Sequence, residues 1–562
     1  MTFMLSDQQQ DIVDYVLDNS KGALEVIARA GCGKSTTIVQ CVTSLYHRTS
    51  YEIFIGAYNK PIAEEMKKKV IDAGIDDWRR VQVGTLHAAG NAAWRKLHKD
   101  VKIDTKGEKV PGIIDAIRAQ CIQSAMTAST EAKRDLLHRK AEVATVMRDF
   151  AVKAVGFAKQ RAFGFLCSIE DRKAWFDLVD HFGLDEEVED IENDDERTFL
   201  IDEGISLAIA AYKKSISMDK EIIDFNDMIL APLIHNVRMY GKDFVFVDEA
   251  QDTNPARRAL ALKMLKPRTG RLVFVGDDRQ GIYGFTGADA DAMPQLKAAT
   301  NATTLYLTET RRCPQAVVQF ANQWVPDLRA HASNGEGAIR AVKYATLMAK
   351  DRVSNDNLWY GDITPDDVIL CRNNAPLVQI AFDLLSRGIA CKVEGKDIIG
   401  GIVKLARRWK SVKTLRALDT KLDDYLTREI QKTQAKGNET QAAAIEDKVN
   451  ILKVMISKLV IDGKNTVDDL VEFITTLFGD TTDATQQKKV VTLCSGHKSK
   501  GREWKKVFWL DRAGTMPSKW AKKEWSKVQE ENLAYVMATR AMDELIEIEV
   551  EKAFYDKMKK AA

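Results

Sequence analysis

Short apolar runs that end in turn residues recur along the chain. Three of them stand out, at residues 23–28 (ALEVIA), 243–247 (DFVFV) and 271–275 (RLVFV). Uninterrupted apolar runs of this length predict strands that are buried on both faces, as in a parallel sheet. The polar residues directly after such strands are expected at the carboxyl edge of the sheet, where α/β proteins bind their ligands.

Helical patterns fill the long intervals between these runs. The interval between His87 and Asp243 includes DAIRAQ at 115–120 and AEVATVM at 141–147, and both indicate helix. The sequence therefore predicts an α/β protein in which mostly helical segments interrupt the segments that form the sheet.

A glycine-rich loop follows the first predicted strand. IARAGCGKSTT at 27–37 matches the phosphate-binding pattern G-x-x-x-x-G-K-[ST] except at its first position, which is Ala28. Alanine is tolerated there if φ is negative, because only a positive φ demands glycine. Lys34 is predicted to reach the β- and γ-phosphates, and Ser35 to bind Mg²⁺. Arg29 is either a solvated loop side chain or a guanidinium beside the nucleotide.

Acidic residues follow the second predicted strand. Asp248 and Glu249 come directly after it, and the third strand runs into GDDRQ at 276–280. Carboxylates at this edge of a sheet, beside a phosphate-binding loop, are placed to hold Mg²⁺ and to polarise water. Asp248 is predicted to hold the metal and Glu249 to act as general base.

The segments around these carboxylates carry a family resemblance. DEAQD at 248–252 and VGDDRQGIYGFTGA at 275–288 resemble motifs II and III of superfamily 1A helicases, the UvrD/Rep/PcrA-like group. Further segments resemble the other motifs of that group, in its order: LSDQQ (5–9), AYNK with IAEEM (57–66), GTLH (84–87), LTETRRCP (307–314), VTLCSGHKSKGREW (491–504) and QEENLAYVMATRA (529–541). Because the set is ordered, the chain is identified as a member of this group.

The resemblance implies two RecA-like P-loop domains, built from parallel sheets flanked by helices, with two mostly helical insertion subdomains. ATP and Mg²⁺ are the implied cofactors, and Ser35 and Asp248 the implied metal ligands. The implied catalytic residues are Lys34, Asp248, Glu249, Gln280, Arg312 and Arg540. The implied nucleotide-binding residues are Gln9, Ala28, Arg29, Ala30, Gly31, Cys32, Gly33, Lys34, Ser35, Thr36, Arg311, Arg312, Gly501, Glu503 and Arg540. By the same resemblance Gln9 reads adenine, Glu503 contacts the ribose, and Arg312 and Arg540 stabilise charge on the γ-phosphate.

Single-stranded DNA, with its junctions to duplex, is the implied partner, and the implied direction of movement is 3′ to 5′. The implied DNA-contacting residues are Tyr58, Asn59, Lys60, Thr85, His87, Tyr283, Phe285, Ser495 and His497. Tyr283 and Phe285 would stack on bases, an interaction typically worth about 1–3 kcal/mol for each base. Core packing is the alternative for these two aromatic residues, and a purely structural role is the alternative for the two histidines.

Three positions depart from the family pattern. Thr286 stands where the group usually has arginine, and Arg311 stands where an aromatic residue usually stacks on adenine. A guanidinium plane also stacks on a base, so weaker discrimination among nucleobases is expected. Tyr58 lies one residue later than the usual aromatic residue of its motif. None of these changes removes a group that hydrolysis requires.

The motif positions predict the domain boundaries. The first RecA-like domain is assigned to 1–87 and 221–304, with a helical insertion at 88–220. The second is assigned to 305–394 and 490–562, with a short insertion at 395–489.

Three biased segments have bland interpretations. The acidic run 184–197 is predicted to be a solvated loop or helix face, and a protein-docking surface is its alternative. The basic run 404–416 is predicted to be a solvated helix with one buried residue, Trp409, and duplex contact is its alternative. Residues 431–444 are predicted to be a loop between helices or an exposed helix end.

Composition adds little to these predictions. The eight cysteines are scattered without a C-x-x-C pair, which argues against zinc ribbons and disulfide frameworks. No segment approaches the roughly 18 to 20 apolar residues that span a bilayer, and no signal peptide is apparent, so a cytoplasmic protein without membrane contact is expected. The formal net charge of +2 indicates no particular partner.

Three functions compete for this sequence. The first is an ATP-dependent DNA helicase that moves 3′ to 5′ on single-stranded DNA. The second is a DNA-activated ATPase switch that senses ends or single strands and regulates a protein partner with little unwinding of its own. The short second insertion and Thr286 favour this alternative. The third, a pure nucleic-acid-binding module, fits poorly because it has no use for the ATPase residues.

Overall fold

The computed structural model describes residues 5–188, 193–282, 291–344, 363–386, 389–435, 439–478 and 490–551. The contacts divide the chain into two units, residues 1–28 with 33–307, and residues 29–32 with 308–562. The predicted domain boundaries are finer than this division and stay predictions. In the described ranges, no helix has both the length and the apolar character that crossing a bilayer requires.

The first unit contains one large sheet, one two-stranded sheet and the surrounding helices. Its strands are β1 (Leu24–Ala28), β2 (Ile53–Ala57), β3 (Val81–Thr85), β4 (Lys102–Ile103), β5 (Ile222–Ile223), β6 (Phe244–Val247), β7 (Arg271–Gly276) and β8 (Thr303–Leu307). Its helices are α1 (Asp7–Leu17), α2 (Lys34–Arg48), α3 (Lys60–Asp72), α4 (Leu86–Leu97), α5 (Lys109–Met126), α6 (Glu131–Val146), α7 (Arg148–Gln160), α8 (Arg172–Phe182), α9 (Asp194–Ser217), α10 (Asp227–Ile234), α11 (Pro255–Lys263) and α12 (Ala292–Thr300). Short 3₁₀ helices lie at Leu184–Val188, Ala250–Asp252 and Asp278–Gln280.

The large sheet of the first unit has the order β3-β2-β6-β7-β1-β8. Each of its neighbouring strands pairs in parallel. In this register Ile27 lies opposite Gly276, and Val247 lies opposite Phe274. The carboxyl ends of β1, β6 and β7 therefore meet at one edge. The three strands predicted from the apolar runs are confirmed, with β1 beginning at Leu24 and β6 at Phe244.

The second unit has its own six-stranded parallel sheet, in the order β11-β16-β15-β12-β14-β13. Its strands are β9 (Glu309–Thr310), β10 (Arg329–Ala330), β11 (Ala338–Lys343), β12 (Val368–Cys371), β13 (Cys391–Val393), β14 (Val491–Ser495), β15 (Trp504–Leu510) and β16 (Ala541–Glu549). Its helices are α13 (Gln315–Ala321), α14 (Asn374–Ser386), α15 (Lys396–Ala406), α16 (Leu415–Ala435), α17 (Glu439–Ile461), α18 (Val467–Phe478), α19 (Arg512–Thr515) and α20 (Glu524–Ala538), with a 3₁₀ helix at Gly496–Ser499. The predicted class, α/β with parallel sheets flanked by helices, is confirmed.

The helical interval of the first unit packs into the same core as the sheet. Phe150 of α7 and Tyr212 of α9 are fully buried and belong to one apolar cluster with Val245 of β6. The segments predicted to be helical at 115–120 and 141–147 lie in α5 and α6, and α6 ends at Val146. Hydrophobic burial therefore continues from the helical interval to the sheet.

The interpretation of the acidic run as wholly solvated is wrong. Asp185 and Arg197, at its two ends, are both buried and form an ion pair of 3.4 Å. Asp185 belongs to the 3₁₀ helix Leu184–Val188, and Arg197 belongs to the first turns of α9. Asn193 caps α9 by accepting hydrogen bonds from two backbone N–H groups. The run looked solvated because sequence shows charge without showing the partner that neutralises it.

The interpretation of the basic run 404–416 as a helix is also wrong. Helix α15 ends at Ala406, and the residues from Arg407 to Thr414 form a connection that leads into α16. Trp409 is half-buried in this connection, and its ring meets the ring of Tyr425 edge-to-face at 6.1 Å. Residues 431–444 contain two helix ends, because α16 ends at Ala435 and α17 begins at Glu439, while residues 436–438 lie outside the described residues. The predicted exposure of these ends is wrong at Thr433 and Gln441, which are both buried.

A buried network of ion pairs joins α5 and α7 to the start of α10 and the segment before it. The Lys109 Nζ lies 2.9 Å from Asp219 Oδ1 and 2.6 Å from Asp227 Oδ2, and the Lys159 Nζ lies 2.6 Å from Asp227 Oδ1 and also contacts Asp224. Burial alone opposes the Lys159 ammonium, but Asp227 and Asp224 outweigh it and raise the pKa of this lysine. Burial also raises the pKa of Asp219 to about 7.

Removing one cation from this network is expected to destabilise the first unit. Lys159→Met removes one of the two lysines that neutralise the buried carboxylates, which should lower the free energy of unfolding by about 3–5 kcal/mol. Urea titration followed by tryptophan fluorescence measures the change. Lys173→Met is the matched control, because Lys173 forms an exposed pair with Asp177 whose loss should leave the midpoint of the urea titration nearly unchanged. Equal effects of the two variants would contradict the assigned role of the network.

Candidate ATP and DNA sites

The phosphate-binding loop begins with ordinary strand geometry. Ala28 is the last residue of β1 and pairs in register with Leu307 of β8, so alanine is not strained there. The left-handed backbone falls further on, at Gly31 (φ 72°) and Gly33 (φ 80°). The departure at the first position of the motif therefore changes neither the turn nor the start of the helix.

Helix α2 presents its first turn at the end of this loop. Gly33 is its N-cap residue and supplies no side-chain cap, and Lys34, Ser35 and Thr36 form the first turn. The uncapped N–H groups and the helix dipole make such a terminus suited to a phosphate group. The Ser35 hydroxyl lies in this turn, where the motif requires it.

Lys34 forms an ion pair with Glu249 in this structure. Its Nζ lies 3.0 Å from Glu249 Oε1 and 3.1 Å from Oε2. Burial works against the ammonium, but Glu249, Asp248 and Asp277 overcome it and raise the pKa of Lys34. Lys34 is therefore a cation held by the same carboxylate that the sequence assigns as general base.

Asp248 and Glu249 directly follow β6, and the backbone is strained at Glu249. Glu249 has a left-handed backbone (φ 51°), which is uncommon outside glycine, and its N–H donates to Asp248 Oδ1 at 2.9 Å. Burial, followed by the charge of Glu249, raises the pKa of Asp248 to about 7. Strain of this kind is found where the surrounding structure holds a functional group in place.

The residues at this edge fit Mg²⁺ bound together with a nucleotide. Mg²⁺ prefers oxygen ligands and is usually held by one or two carboxylates with phosphate oxygens and water, and Ser35 and Asp248 offer such oxygens. No cluster of three or more His, Cys, Asp or Glu residues that could hold a metal by itself occurs among the described residues. A metal that depends on the phosphates for part of its coordination is consistent with both observations.

Two buried glutamines donate hydrogen bonds to the acidic residues at this edge of the sheet, and one of them was not predicted. The Gln280 side chain, predicted from the sequence, is buried and donates to Asp277 Oδ2 at 2.7 Å. Gln251 was not predicted, although it lies within the same DEAQD run. Its Nε2 donates to Glu249 Oε2 at 2.6 Å.

Gln9 lies beside the loop and is held at both ends of its amide. Its Oε1 accepts from the N–H of Ser6 at 3.1 Å as part of a capping box, and its Nε2 donates to Thr37 Oγ1 at 3.0 Å. A Cβ placed on Gly33 would come within 3.0 Å of that Nε2. The structure therefore places Gln9 against the loop, while its contact with adenine stays a prediction.

Four of the predicted DNA-contacting residues lie where β2 and β3 end. Asn59 and Thr85 serve as N-cap residues, accepting hydrogen bonds from Ile62 and Ala88 respectively. Lys60 is exposed, and the guanidinium of Arg257 lies 4.8 Å from the ring centroid of Tyr58. Their caps and ring contacts give these residues structural roles as well, without excluding DNA contact.

His87 stacks on a residue that the sequence analysis missed. The rings of His87 and Phe225 lie 3.9 Å apart at an angle of 19°, and Phe225 is 58% exposed. Burial, with a contribution from Arg257, lowers the pKa of His87 to about 3, so the imidazole is neutral at physiological pH. The sequence signal for Phe225 was its position among polar residues, in DFND at 224–227, where a helix begins.

Part of the phosphate-binding loop has its contacts in the second unit, to which residues 29–32 belong. Arg29 is buried and forms an ion pair with Asp327, with an Nη2–Oδ2 distance of 2.9 Å. The Ala30 N–H donates to the Tyr535 hydroxyl at 2.8 Å, and the Arg311 N–H donates to the Gly31 carbonyl at 3.1 Å. The interpretation of Arg29 as a solvated side chain is wrong, and its proximity to the nucleotide stays a prediction. Cys32, also in this segment, is buried.

The two predicted arginines of the second unit have different environments. The Arg312 Nε lies 2.5 Å from Glu503 Oε2, whereas the Arg540 guanidinium is buried and donates to the carbonyls of Val536 (2.7 Å) and Arg502 (3.0 Å). Burial, with a contribution from Arg312, lowers the pKa of Arg540 to about 10.

Gly501, with a left-handed backbone (φ 80°), lies two residues before Glu503. The structure thus brings Arg312 and Glu503 together, and the contact of Glu503 with a ribose stays a prediction.

The remaining predicted DNA residues divide into described and undescribed ones. Ser495 ends β14 and is buried, and His497 lies in the 3₁₀ helix that follows. Burial, followed by the charges of Arg372 and Lys500, lowers the pKa of His497 to about 3, so this imidazole is also neutral. Tyr283 and Phe285, with the departure at Thr286, lie outside the described residues.

Two family models and several known proteins match this sequence. The family model for the UvrD/REP helicase N-terminal domain matches residues 5–301, and that for the UvrD-like helicase C-terminal domain matches residues 401–552. A probable DNA helicase II homolog of Mycoplasma pneumoniae is 24% identical over 64% of this chain and 48% of its own length. The ATP-dependent DNA helicase PcrA of Staphylococcus aureus is 22% identical over 54% of this chain and 38% of its own length.

The chain spans less than half the length of these relatives. The first family model nevertheless covers more than half of the chain, including the loop, both acidic residues and Gln280. The chain therefore belongs to the UvrD/Rep/PcrA-like family of superfamily 1 DNA helicases.

Proposed function

We propose that the protein is an ATP-dependent DNA helicase that moves 3′ to 5′ along single-stranded DNA. The observation that supports this most directly is the group formed by Lys34, Asp248 and Glu249 at the carboxyl edge of the first sheet, with Gln280 on the adjoining turn. These are the groups that phosphoryl transfer to water needs: a cation for the phosphates, a metal ligand and a base. A module that only binds nucleic acid has no use for them.

The chemistry requires Lys34 to change partners. Its ion pair with Glu249 must open when phosphates arrive, because the lysine then neutralises the β- and γ-phosphates. Glu249 is freed by the same exchange to accept a proton from water. Bound Mg²⁺ supplies charge neutralisation of the phosphates, with Ser35 and Asp248 as its protein ligands. Arg312 and Arg540 are assigned to the γ-phosphate by the family resemblance.

DNA contact is proposed for the end of the first sheet, around Phe225 and His87. An exposed ring already stacked on a second ring offers a platform for a base, and such stacking tolerates any sequence. Because His87 is neutral, it contributes by stacking and hydrogen bonding rather than by charge. Lys60, which is exposed near the same edge, supplies charge for the phosphodiester backbone.

Glu249→Gln is expected to separate nucleotide binding from hydrolysis. The amide keeps the shape of the side chain but cannot accept the proton, so kcat should fall by about 10²–10⁴-fold while ATP affinity is retained. A coupled ATPase assay and titration with a fluorescent ATP analogue measure the two quantities. Glu65→Gln is the matched control, because Glu65 forms an exposed pair with Lys69 and should leave kcat unchanged. Normal turnover by the Glu249→Gln protein would refute the assignment.

Lys34→Ala is expected to abolish hydrolysis by removing the cation that meets the phosphates. The circular dichroism spectrum should match that of the unmodified protein, because Lys34 lies in the first turn of α2 and alanine is a strong helix former. Turnover at the unmodified rate would place the nucleotide somewhere other than this loop.

Phe225→Ala and Lys60→Ala are expected to weaken DNA binding in different ways. Loss of the stacking platform should cost about 1–3 kcal/mol without changing the slope of log K against log salt. Loss of Lys60 should reduce that slope by about 0.7, the value for one phosphate contact on a single strand. Fluorescence anisotropy over a series of salt concentrations measures both. A reduced slope for Phe225→Ala, or an unchanged one for Lys60→Ala, would contradict the proposed surface.

Strand displacement tests the proposed function as a whole. Matched duplexes that carry either a 3′ or a 5′ single-stranded tail are mixed with the protein, ATP and Mg²⁺. Separation of the 3′-tailed duplex alone is expected. Separation from the 5′ tail would reverse the proposed direction. ATP consumption on single-stranded DNA without separation of either duplex would support the DNA-activated switch instead.

A further inference from the structure

Gln251 is a buried side chain whose amide is bonded in two directions. Its Nε2 donates to Glu249 Oε2 at 2.6 Å, and its Oε1 accepts from the N–H of Asp277 at 3.1 Å. The residue is 5% exposed. One side chain therefore connects the acidic end of β6 to the turn that follows β7.

The orientation of this amide follows from its partners. A backbone N–H can only donate, so the oxygen of Gln251 must face Asp277, and the nitrogen must then face the Glu249 carboxylate, which accepts. Gly276 makes room for this arrangement, because a Cβ at that position would collide with the Gln251 Oε1. The contact thus depends on a glycine at the end of β7 as well as on the glutamine.

The hydrogen bonds continue beyond Asp277 into the next turn. The Asp277 side chain is fully buried, and its carboxylate accepts from Gln280 Nε2 at 2.7 Å and from the Arg279 N–H at 3.1 Å. The Gln280 N–H also donates to the Asp277 carbonyl at 2.9 Å. Glu249 and Gln280 are therefore joined through Gln251 and Asp277 by an unbroken set of hydrogen bonds.

This path links two groups with separate tasks in the proposed reaction. Glu249 is the proposed base, and Gln280 begins the segment that leads to residues 283–285, which the resemblance assigns to DNA. Lys34 cannot hold Glu249 once it turns to the phosphates, whereas the hydrogen bond from Gln251 does not depend on Lys34. A displaced Asp277 turn would move the Gln251 amide and, with it, the Glu249 carboxylate.

We propose that Gln251 is a positioning residue that couples the Glu249 carboxylate to the Asp277–Gln280 turn and so makes hydrolysis depend on the position of that turn. This inference rests on the proposed function, because it needs Glu249 to act as the base. It assigns to Gln251 no contact with ATP or DNA. Loss of the coupling should therefore lower the rate of the chemical step and its stimulation by DNA, while both binding affinities persist.

Two substitutions separate the two ends of the amide. Gln251→Met keeps the length of the side chain and removes both hydrogen bonds. Gln251→Glu keeps an oxygen for the Asp277 N–H but replaces the donor toward Glu249 with a second carboxylate. Gln10→Met is the matched control, because the exposed Gln10 amide only donates to Asp14 within α1.

The measurement is single-turnover ATP hydrolysis by the full chain, with and without saturating oligo(dT). For Gln251→Met the rate constant with DNA should fall by about 10²-fold, as for a misplaced catalytic group, and stimulation by DNA should shrink. Affinities for ATP and oligo(dT) should stay within about twofold, which also shows that the variant is folded.

The split between binding and chemistry distinguishes positioning from a merely structural role. Loss of a contact that only stabilises the site should lower the affinity for ATP together with the rate. Loss of positioning should lower the single-turnover rate constant and its stimulation by DNA while both affinities persist, and more so in Gln251→Glu, whose second carboxylate repels that of Glu249. Gln10→Met should leave the rate constant and its stimulation unchanged.

The outcomes separate this inference from the proposed function. If the unmodified protein shows no DNA-dependent hydrolysis, the proposed function fails and the inference fails with it. If the unmodified protein is active, an unchanged rate in Gln251→Met overturns the inference alone. A lower rate with undiminished stimulation by DNA, or with lost ATP affinity, makes Gln251 a structural residue and likewise overturns the inference.

Discussion

Parallel pairing of β1, β6 and β7 is the constraint on which the proposed ATP site depends. Residues 28, 248 and 276 are far apart in sequence, yet the register brings the ends of their strands to one edge of the sheet. Each strand is buried on both faces, so a slip by one residue would exchange the two packed faces and disrupt the core on each side, as well as displace the site. Hydrophobic burial therefore helps to fix the relative positions of Lys34, Asp248 and Gln280.

The charges gathered at this edge create a second constraint. Asp248, Glu249 and Asp277 all act on Lys34, and burial makes their mutual repulsion stronger than it would be in water. Burial, followed by the charge of Glu249, raises the pKa of Asp248, so a further negative charge at this edge would be poorly stabilised. The arrangement suits a ligand that brings its own divalent cation, whereas a bare polyphosphate would add to the repulsion.

The sequence was sufficient for the elements but not for their long-range partners. The strands and the loop follow from apolar runs and turn residues, which are local signals, and the family motifs place the chemistry on them. Arg29 looked solvated because its partner Asp327 lies 298 residues away. Trp409 looked helical because basic residues at helical spacing do not reveal where α15 ends. Gln251 and Phe225 were not predicted, because their proposed roles follow from tertiary contacts that the sequence does not show.

Phe225 illustrates how buried charge can serve position rather than stability alone. The residues on either side of it bind one another, the Asp224 N–H donating to Asp227 and the Asp227 N–H donating to Asp224, both at 2.9 Å. The same carboxylates are held by Lys159, which α7 contributes, and Lys109 also reaches Asp227. Apolar replacements often serve stability as well as buried ion pairs do. Apolar side chains at 224 and 227 would not fix the orientation of the turn at 224–227. The hydrogen bonds within this turn and its ion pairs to α5 and α7 do fix it, and the turn presents the exposed Phe225 ring over His87.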